Sequence, residues 1–378
     1  MKVIHVVLGK ANPNRMNGVN KVAHQLAMNL HTHQVPVEIW GITKTPTDAV
    51  YPRPFPTHLF RSQPIYRDLD PKMMFAVSQE KKDTIFHVHG GFITDFYKLT
   101  RLLKEMNFEY VYTPHGAFNK IALEKNKWIK KIYISRYEKS ILRQAKAIQL
   151  LGQSEFDHLG TILRLSNKVV IPNGQDFEEL AFEFSSIKKR NVPVFGFCGR
   201  LDTYYKGLDF LLEGFAGYCK KGGEGELWLI GDGPDRPQLE ALCKVYHIES
   251  RVHFMGARYG KDKLNRIANM DVFCHPSRSE GSPTAVLEAG ALGKALIVST
   301  ATNVGTEVER YNAGFHIRQS TSKSIENAMF SFLKTYQTGE YLEFGKQAKE
   351  MVKIEFSWRA VTKKLLELYD YETRAAQL

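Results

Sequence analysis

Between Val192 and Thr300, short apolar runs alternate with amphipathic stretches, and this alternation restricts the fold more than any other feature. VPVFGFCGRL, ELWLIGDGP, RVHFMG, DVFCHPS and KALIVST read as strands. GLDFLLEGFAGYCKK, PQLEALCKVYHI, KDKLNRIANM and the segment from Thr284 carry helical spacing between them. Short apolar strands separated by amphipathic helices build parallel βαβ units, with an open sheet covered on both faces.

The first half repeats this grammar less regularly. VIHVVLG leads into a helix near Val19 to His31, and PVEIWGI, IFHVHGG, YVYTPHG, AIQLLG and KVVIPNG supply further strands. Residues 44–71 read as a long loop, because Pro52, Pro54 and Pro56 at alternate positions exclude a regular helix. With 378 residues, two domains are expected. They are a first over 1–184, a second over 192–355, and a C-terminal helix within 356–378 that returns to the first. The polar FSSIKKRN at 184–191 is the expected linker. Two doubly wound domains bind ligands outside their strand C-terminal ends, which places the expected site in a cleft between them.

Several classes are excluded early. The apolar run of MKVIHVVLGK is shorter than a signal-peptide core and reads as a first strand. No stretch approaches the roughly 18 uninterrupted apolar residues of a membrane span. Cys198, Cys219, Cys243 and Cys274 form no Cys-x-x-Cys pair and read as buried thiols of a reducing, cytoplasmic compartment. His5, His87, His89 and His115 show no metal-ligand spacing, so no metal is expected. A net charge of +12 favours anionic partners, whether nucleotides, phospholipid surfaces or nucleic acid. No RNA-binding, zinc-finger or helix-turn-helix pattern accompanies that charge, so nucleic acid is not the expected partner.

The stretch SEGSPTAVLEAG sets Glu280 and Glu288 eight positions apart around a small, flexible run. Pro283 suits a first helical position and Ser282 its N-cap, so a helix should begin there with backbone N–H groups free to hold an anion. Gly281 permits close approach of a ligand to the backbone, and Glu288 lies where it would accept from neutral hydroxyls. Phosphate held at a helix N-terminus, with carboxylates on either side, describes a sugar nucleotide. An ordinary N-cap beside two unrelated glutamates is the alternative. In GRLDTYYKG, Arg200 leaves a strand and Lys206 precedes a helix. Both cations are placed to neutralise a diphosphate leaving group, unless they are simple surface charges.

GRLDTYYKGLDFLL, LWLIGDGP, RVHFMG and HPSRSEGSPTAVLEAGALGKALIVST, in this order, resemble the C-terminal domain of retaining glycosyltransferases of family 4. Gly18, HVHGG, TPHGAF and IPNGQD extend the resemblance through the first half. It implies the GT-B fold, two Rossmann-like doubly wound domains facing across a cleft.

The resemblance further implies that Arg200 and Lys206 bind the donor diphosphate, that Glu280 lies by the donor sugar, and that Glu288 binds the ribose. Gly281, Ser282, Pro283 and Thr284 would wall the phosphate and sugar, with Ala257 and Arg258 beside the nucleobase. Gly18 matches a glycine that approaches the diphosphate and the acceptor, although Asn17-Gly18 stands here where many relatives have Gly-Gly. His115 matches a histidine near the donor sugar, its alternative role being to stabilise a strand-end turn. The donor implied is a nucleoside-diphosphate sugar, UDP-sugar first and GDP-sugar second, with no cofactor. Transfer with retention would send the acceptor hydroxyl to the face the phosphate leaves, and the phosphate itself would take the proton. An epimerase acting on sugar nucleotides with the same fold is the competing enzyme.

Residues 119–146 carry Lys120, Lys125, Lys127, Lys130, Lys131, Arg136, Lys139, Arg143 and Lys146 among Trp128, Ile129, Ile132, Tyr133 and Ile134. Such a basic, aromatic helix suits an anionic membrane surface, unless its apolar residues pack on the domain. On the membrane reading the acceptor is a lipid-linked saccharide, met at the inner face of the cell membrane.

Overall fold

The structure, a computed structural model, describes residues 1–12, 18–47, 52–64, 66–124, 126–175, 190–280 and 283–370. The chain divides into two compact units: Met1–Asn173 together with Val361–Leu378, and Gly174–Ala360.

In the first unit, seven strands form one sheet in the order β3-β2-β1-β4-β5-β6-β7. They are β1 (Val3–Leu8), β2 (Val37–Thr43), β3 (Thr57–Arg61), β4 (Ile85–His89), β5 (Glu109–Thr113), β6 (Ala147–Leu150) and β7 (Lys168–Val170), and every pairing is parallel. The helices are α1 (Gly18–Thr32), α2 (Pro71–Ser78), α3 (Thr94–Glu105), α4 (Lys120–Glu124), α5 (Lys127–Tyr133), α6 (Lys139–Gln144) and α7 (Gln153–Ile162). Central strands are sealed on both faces, and β4 is buried at all five positions, as a parallel sheet between helical layers requires.

Two expectations are corrected here. The loop expected over 44–71 contains β3, which pairs with β2 from Ile39↔Thr57 to Thr43↔Arg61. The strand begins directly after Pro56, the last of the three prolines, and lies at the sheet edge, where a preceding proline disturbs no ladder. The basic segment is not one helix. Asn126, at φ 58, separates α4 from α5, and a π-turn over Ile134–Glu138 joins α5 to α6.

The second unit holds a six-stranded parallel sheet in the order β10-β9-β8-β11-β12-β13. Its elements are β8 (Val194–Cys198), α8 (Thr203–Lys206), α9 (Leu208–Lys220), β9 (Glu226–Ile230), α10 (Arg236–Val245), β10 (Val252–Gly256), α11 (Gly260–Ala268), β11 (Val272–His275), α12 (Thr284–Ala291), β12 (Ala295–Ser299), α13 (Gly305–Arg310), β13 (Gly314–Ile317), α14 (Ser322–Thr338) and α15 (Tyr341–Phe356). Two apolar clusters, one centred on Phe195, Phe215 and Phe332 and the other on Met270, Phe273 and Val352, bury the two faces. A final helix, α16 (Trp358–Leu368), begins in the second unit and continues into the first.

Most of the expected linker, 184–189, lies outside the described residues. Arg190 belongs to the second unit, donating to the Asn269 carbonyl at 2.9 Å with its guanidinium 4.5 Å over the Trp228 ring. All four cysteines are unpaired, three of them buried and Cys219 half-buried. No helix among the described residues is long and apolar enough to cross a membrane.

Candidate functional site

In the second unit, the ends of β8 and β11 bring together residues far apart in sequence. Asp202 caps α8 by accepting from the Tyr205 amide at 3.0 Å. The single turn closes on Gly207, at φ 66, where a side chain would collide with the Pro276 carbonyl oxygen. Only glycine tolerates both conditions. Lys206 therefore ends its turn against the loop that follows β11.

That loop is fixed from several sides. Arg278 forms a two-point ion pair with Asp209 at 2.8 and 2.7 Å, donates to the Tyr204 carbonyl at 2.9 Å and lies 3.7 Å over the Phe210 ring. Ser299 donates to the Ser277 carbonyl at 2.6 Å, Ser320 to the Pro276 carbonyl at 2.8 Å, and Asn303 to the Glu280 carbonyl at 3.0 Å.

At the end of this loop the Glu280 carboxylate, with a side chain 14% exposed, is paired to the Lys206 ammonium and accepts from His275 Nε2 at 3.0 Å. Burial opposes ionisation of Glu280. The hydrogen bond from His275 and the charge of Lys206 outweigh it and hold the carboxyl down to about 2. Burial also lowers the basicity of His275, while its hydrogen bond to Glu280 works against that shift. Glu280 is thus a fixed anion with its acceptor geometry already set.

Glu288, in α12, is ion-paired through Oε1 to Lys263 of α11 at 2.6 Å, while its Oε2 is buried and has no hydrogen-bond partner among the described residues. One carboxylate oxygen is therefore anchored and the other is available to a donor. Arg200 is exposed at the mouth of β8. Ala257 and Arg258 follow β10 and are exposed, Arg258 donating to the Met255 carbonyl at 2.9 Å.

The expected helix start needs correction. α12 begins at Thr284 and Pro283 occupies the cap position, with no side-chain hydrogen bond to the first turn. Pro283 has φ −82 and ψ 61, which is not helical. Its carbonyl accepts from Val286 at 2.9 Å and Leu287 at 3.1 Å, so it opens the helix from outside. Gly281 and Ser282 lie outside the described residues.

In the first unit, Gly18 is the exposed first residue of α1, with open space where a Cβ would stand. His115 follows β5 in the left-handed region, φ 55, and is half-buried. Its Nε2 contacts His89 Nδ1 at 3.0 Å, and His89 Nε2 contacts His5 Nδ1 at 2.8 Å. Burial alone brings His5 down to about 3 and His115 to about 4; burial and neighbouring rings hold His87 and His89 well below their usual range. All four rings are neutral at physiological pH.

Two buried glutamates hold the loops on either side of these rings. Glu138 accepts from the Phe92 amide at 2.6 Å and the Tyr112 hydroxyl at 2.8 Å, and Glu155 accepts from the Phe118 amide at 3.2 Å. Burial pushes both carboxyls up to about 7.

The structure thus gathers Lys206 and Glu280, anchors Glu288 separately on Lys263, and leaves Arg200 exposed after β8 and Ala257 and Arg258 exposed after β10, with β9 between the two strands. The sequence reading missed His275, Lys263, Arg278, Asn303, His5 and His89. A signal existed for His275, a polar residue closing the apolar run DVFC, and for the alternate histidines of HVHGG. Lys263 gave none, since it stands among many lysines.

The chain is similar to known proteins. The profile described as Glycosyltransferase Family 4 matches residues 16–179, and that of Glycosyl transferases group 1 matches 178–351. Protein CapJ of Staphylococcus aureus is 31% identical over 191 residues, 47% of this chain and 47% of CapJ. One subunit of human phosphatidylinositol N-acetylglucosaminyltransferase is 24% identical over 332 residues, 86% of this chain and 63% of that protein. The chain therefore spans about half to two thirds of the length of these two relatives. HepE of Anabaena, solved in complex with UDP, superposes with a TM-score of 0.73 at 18% identity, covering 98% of this chain and all of HepE. Two parallel-sheet α/β units and this superposition make the fold GT-B.

Proposed function

We propose that this chain, which belongs to the group 1 and family 4 glycosyltransferases, moves a sugar with retention from a nucleoside-diphosphate sugar to a saccharide or lipid-linked saccharide. UDP-sugar is the favoured donor and GDP-sugar the second; UDP in HepE supports that order. The observation that carries the proposal is the Lys206–Glu280–His275 cluster beside the start of α12, with the unpartnered Glu288 Oε2 in the same helix.

The roles follow from chemistry. Arg200, Lys206 and the backbone N–H groups at the start of α12 stabilise the charge that develops as the C1–O bond to phosphate breaks with its electron pair. Glu280, ionised throughout the neutral range, accepts from donor-sugar hydroxyls, and Glu288 Oε2 accepts from a ribose hydroxyl. The acceptor oxygen bonds to C1 on the departing face, and its proton passes to the leaving phosphate oxygen. Gly281, Ser282, Pro283 and Thr284 wall the phosphate and sugar, Ala257 and Arg258 face the base, Gly18 admits the diphosphate and acceptor, and His115 stands by the sugar. The chemistry asks for no metal and no cofactor.

The first unit favours a lipid-linked acceptor at an anionic membrane surface. Trp128, Ile129 and Ile132 of α5 are 75%, 68% and 62% exposed, beside Lys127, Lys130 and Lys131. A cavity of about 280 Å³ between α4, α5 and α7 is lined by Leu123, Ile134 and Ile162 together with Glu124 and four lysines, Lys120, Lys127, Lys130 and Lys131. Apolar residues and lysines lining one cavity suit an acyl or isoprenoid chain with a phosphate head. The human relative, named for transfer to phosphatidylinositol, agrees with that chemistry. The enzyme would then work on the cytoplasmic side, bound peripherally. Flotation with anionic vesicles at low salt should carry the wild type and leave Trp128→Ala/Ile132→Ala behind; a wild type that stays at the bottom overturns the membrane reading.

Thermal shift and calorimetry with UDP, GDP and ADP test the donor site. UDP should stabilise the wild type, and Arg200→Ala and Glu288→Gln should each weaken binding about tenfold or more. Product NMR with an acceptor then reads the anomer, and turnover of UDP-sugar to its epimer without acceptor would point to the epimerase. A folded protein that responds to none of the three nucleotides refutes the sugar-transfer reading.

A further inference from the structure

Two rows of hydrogen bonds run through the buried histidines of the first unit, and valence alone orders their protons. Gln149 Nε2 donates to the Ile171 carbonyl at 3.0 Å, so its Oε1 accepts from the Thr113 hydroxyl at 2.9 Å. Thr113 in turn accepts from His87 Nε2 at 2.7 Å, and His87 Nδ1 accepts from the Tyr369 hydroxyl at 2.5 Å. Each group in this row has one donor and one acceptor role, and no other order satisfies all of them. His5, His87 and His89 have ring nitrogens within 4.8 Å of one another, yet His87 keeps no free lone pair.

The second row is different. His115, His89 and His5 are neutral and carry one N–H each, and two contacts link the three rings. Both contacts survive in only two orders: every proton points towards His115, or every proton points towards His5. The second order places an N–H on His5 Nε2, which is fully buried without a partner among the described residues. The first leaves a bare lone pair there and puts the end proton on His115 Nδ1, which has no hydrogen-bond partner among the described residues. Either order ends on one N–H without a protein acceptor among the described residues, but His5 is fully buried and His115 only half-buried. Because buried N–H groups without acceptors are rarer than buried acceptors without donors, the first order, which puts the end proton on the less buried ring, prevails.

We infer that the His89–His5 pair holds His115 as its Nδ1–H tautomer, so that His115 offers a hydrogen-bond donor, not a base, to a substrate oxygen. The oxygen it suits is a sugar hydroxyl or a phosphoryl oxygen, and that use rests on the sugar-transfer reading above. His89 and His5 are positioning residues: they touch no substrate and act through His115. The row has no accessible lone pair for the proton of an acceptor hydroxyl, which agrees with its transfer to the leaving phosphate.

The test is made on the full chain, free of nucleotide, at neutral pH. With ¹⁵N-labelled histidine, long-range ¹H–¹⁵N correlation distinguishes protonated from bare ring nitrogens, and His115→Ala identifies the His115 signals among the 13 histidines. The wild type should show His115 protonated at Nδ1 and bare at Nε2. His89→Gln, whose amide N–H donates in place of the ring, should keep that pattern. His89→Leu should move protonation of His115 to Nε2 in part or whole. An Nε2–H or doubly protonated His115 in the wild type overturns the inference, as does a folded His89→Leu with an unchanged spectrum. Should His89→Leu fail to fold, loss of the Nδ1–H pattern in His89→Gln overturns it equally. Because no nucleotide is present, failure of the donor assays would leave this result standing, and an active transferase with Nε2–H His115 would sink the tautomer assignment alone.

Discussion

Replacing Glu280 by glutamine tests the geometry at the end of β11. The carboxyl falls from an ordinary value of 4.5 to about 2, a difference that corresponds to at most about 3 kcal/mol of folded-state stabilisation. A group with a depressed folded value contributes fully above its unfolded value and loses that contribution as pH falls through the folded one. The wild type should therefore lose about 1.4 kcal/mol of this stabilisation between neutral pH and about pH 3.5, and most of the rest near pH 2. The glutamine variant lacks the linkage, so its deficit should be about 3 kcal/mol at neutral pH and should shrink on acidification. Other carboxylates titrate equally in both proteins and cancel in the difference. Urea denaturation read by hydrogen exchange of peptides from β11 and α12 reports the second unit by itself. A deficit that does not change with pH would refute the ion-pair argument, because glutamine would then have removed packing and not charge.

Glu138 should show the opposite pH dependence. Its folded value is raised to about 7 by burial, so its stabilisation is complete below 4.5 and is lost as pH rises through 7. Between pH 5 and 8 the wild type should lose up to about 2.5 kcal/mol more than Glu138→Gln, and parallel urea midpoints for the two proteins would contradict this. Arg278→Lys should destabilise the second unit by about 1–3 kcal/mol, since lysine reproduces neither the two-point pair with Asp209 nor the stack on Phe210. It should also weaken UDP binding by loosening Lys206 and Glu280; unchanged stability and affinity together would show that the loop is held without Arg278.

Much of the fold was legible from local pattern. Alternating apolar and amphipathic runs are enough to specify two parallel sheets, because each strand and helix buries its own face by its own period. The strand β3 escaped because three prolines masked five residues that follow them. The basic segment read as one helix because neither a proline nor a glycine marks its breaks: asparagine tolerates the left-handed conformation at Asn126, and a π-turn has no residue signature of its own.

The sequence by itself determined the chemistry on offer at the candidate site: Lys206, Glu280, Glu288, Arg200 and His115 are chemically conspicuous where strands end. Only tertiary structure decided their states. Glu280 is held ionised because Lys206, 74 positions away, and His275 reach the same oxygen, and Glu288 is half-engaged because Lys263 comes from another helix. His115 answers to His5, 110 positions away, only because β1 and β4 lie side by side and the loop after β5 folds over them. Charge state and tautomer depend on burial and on partners across a sheet, and neither distance through space nor exclusion of water is a property of a local run of residues.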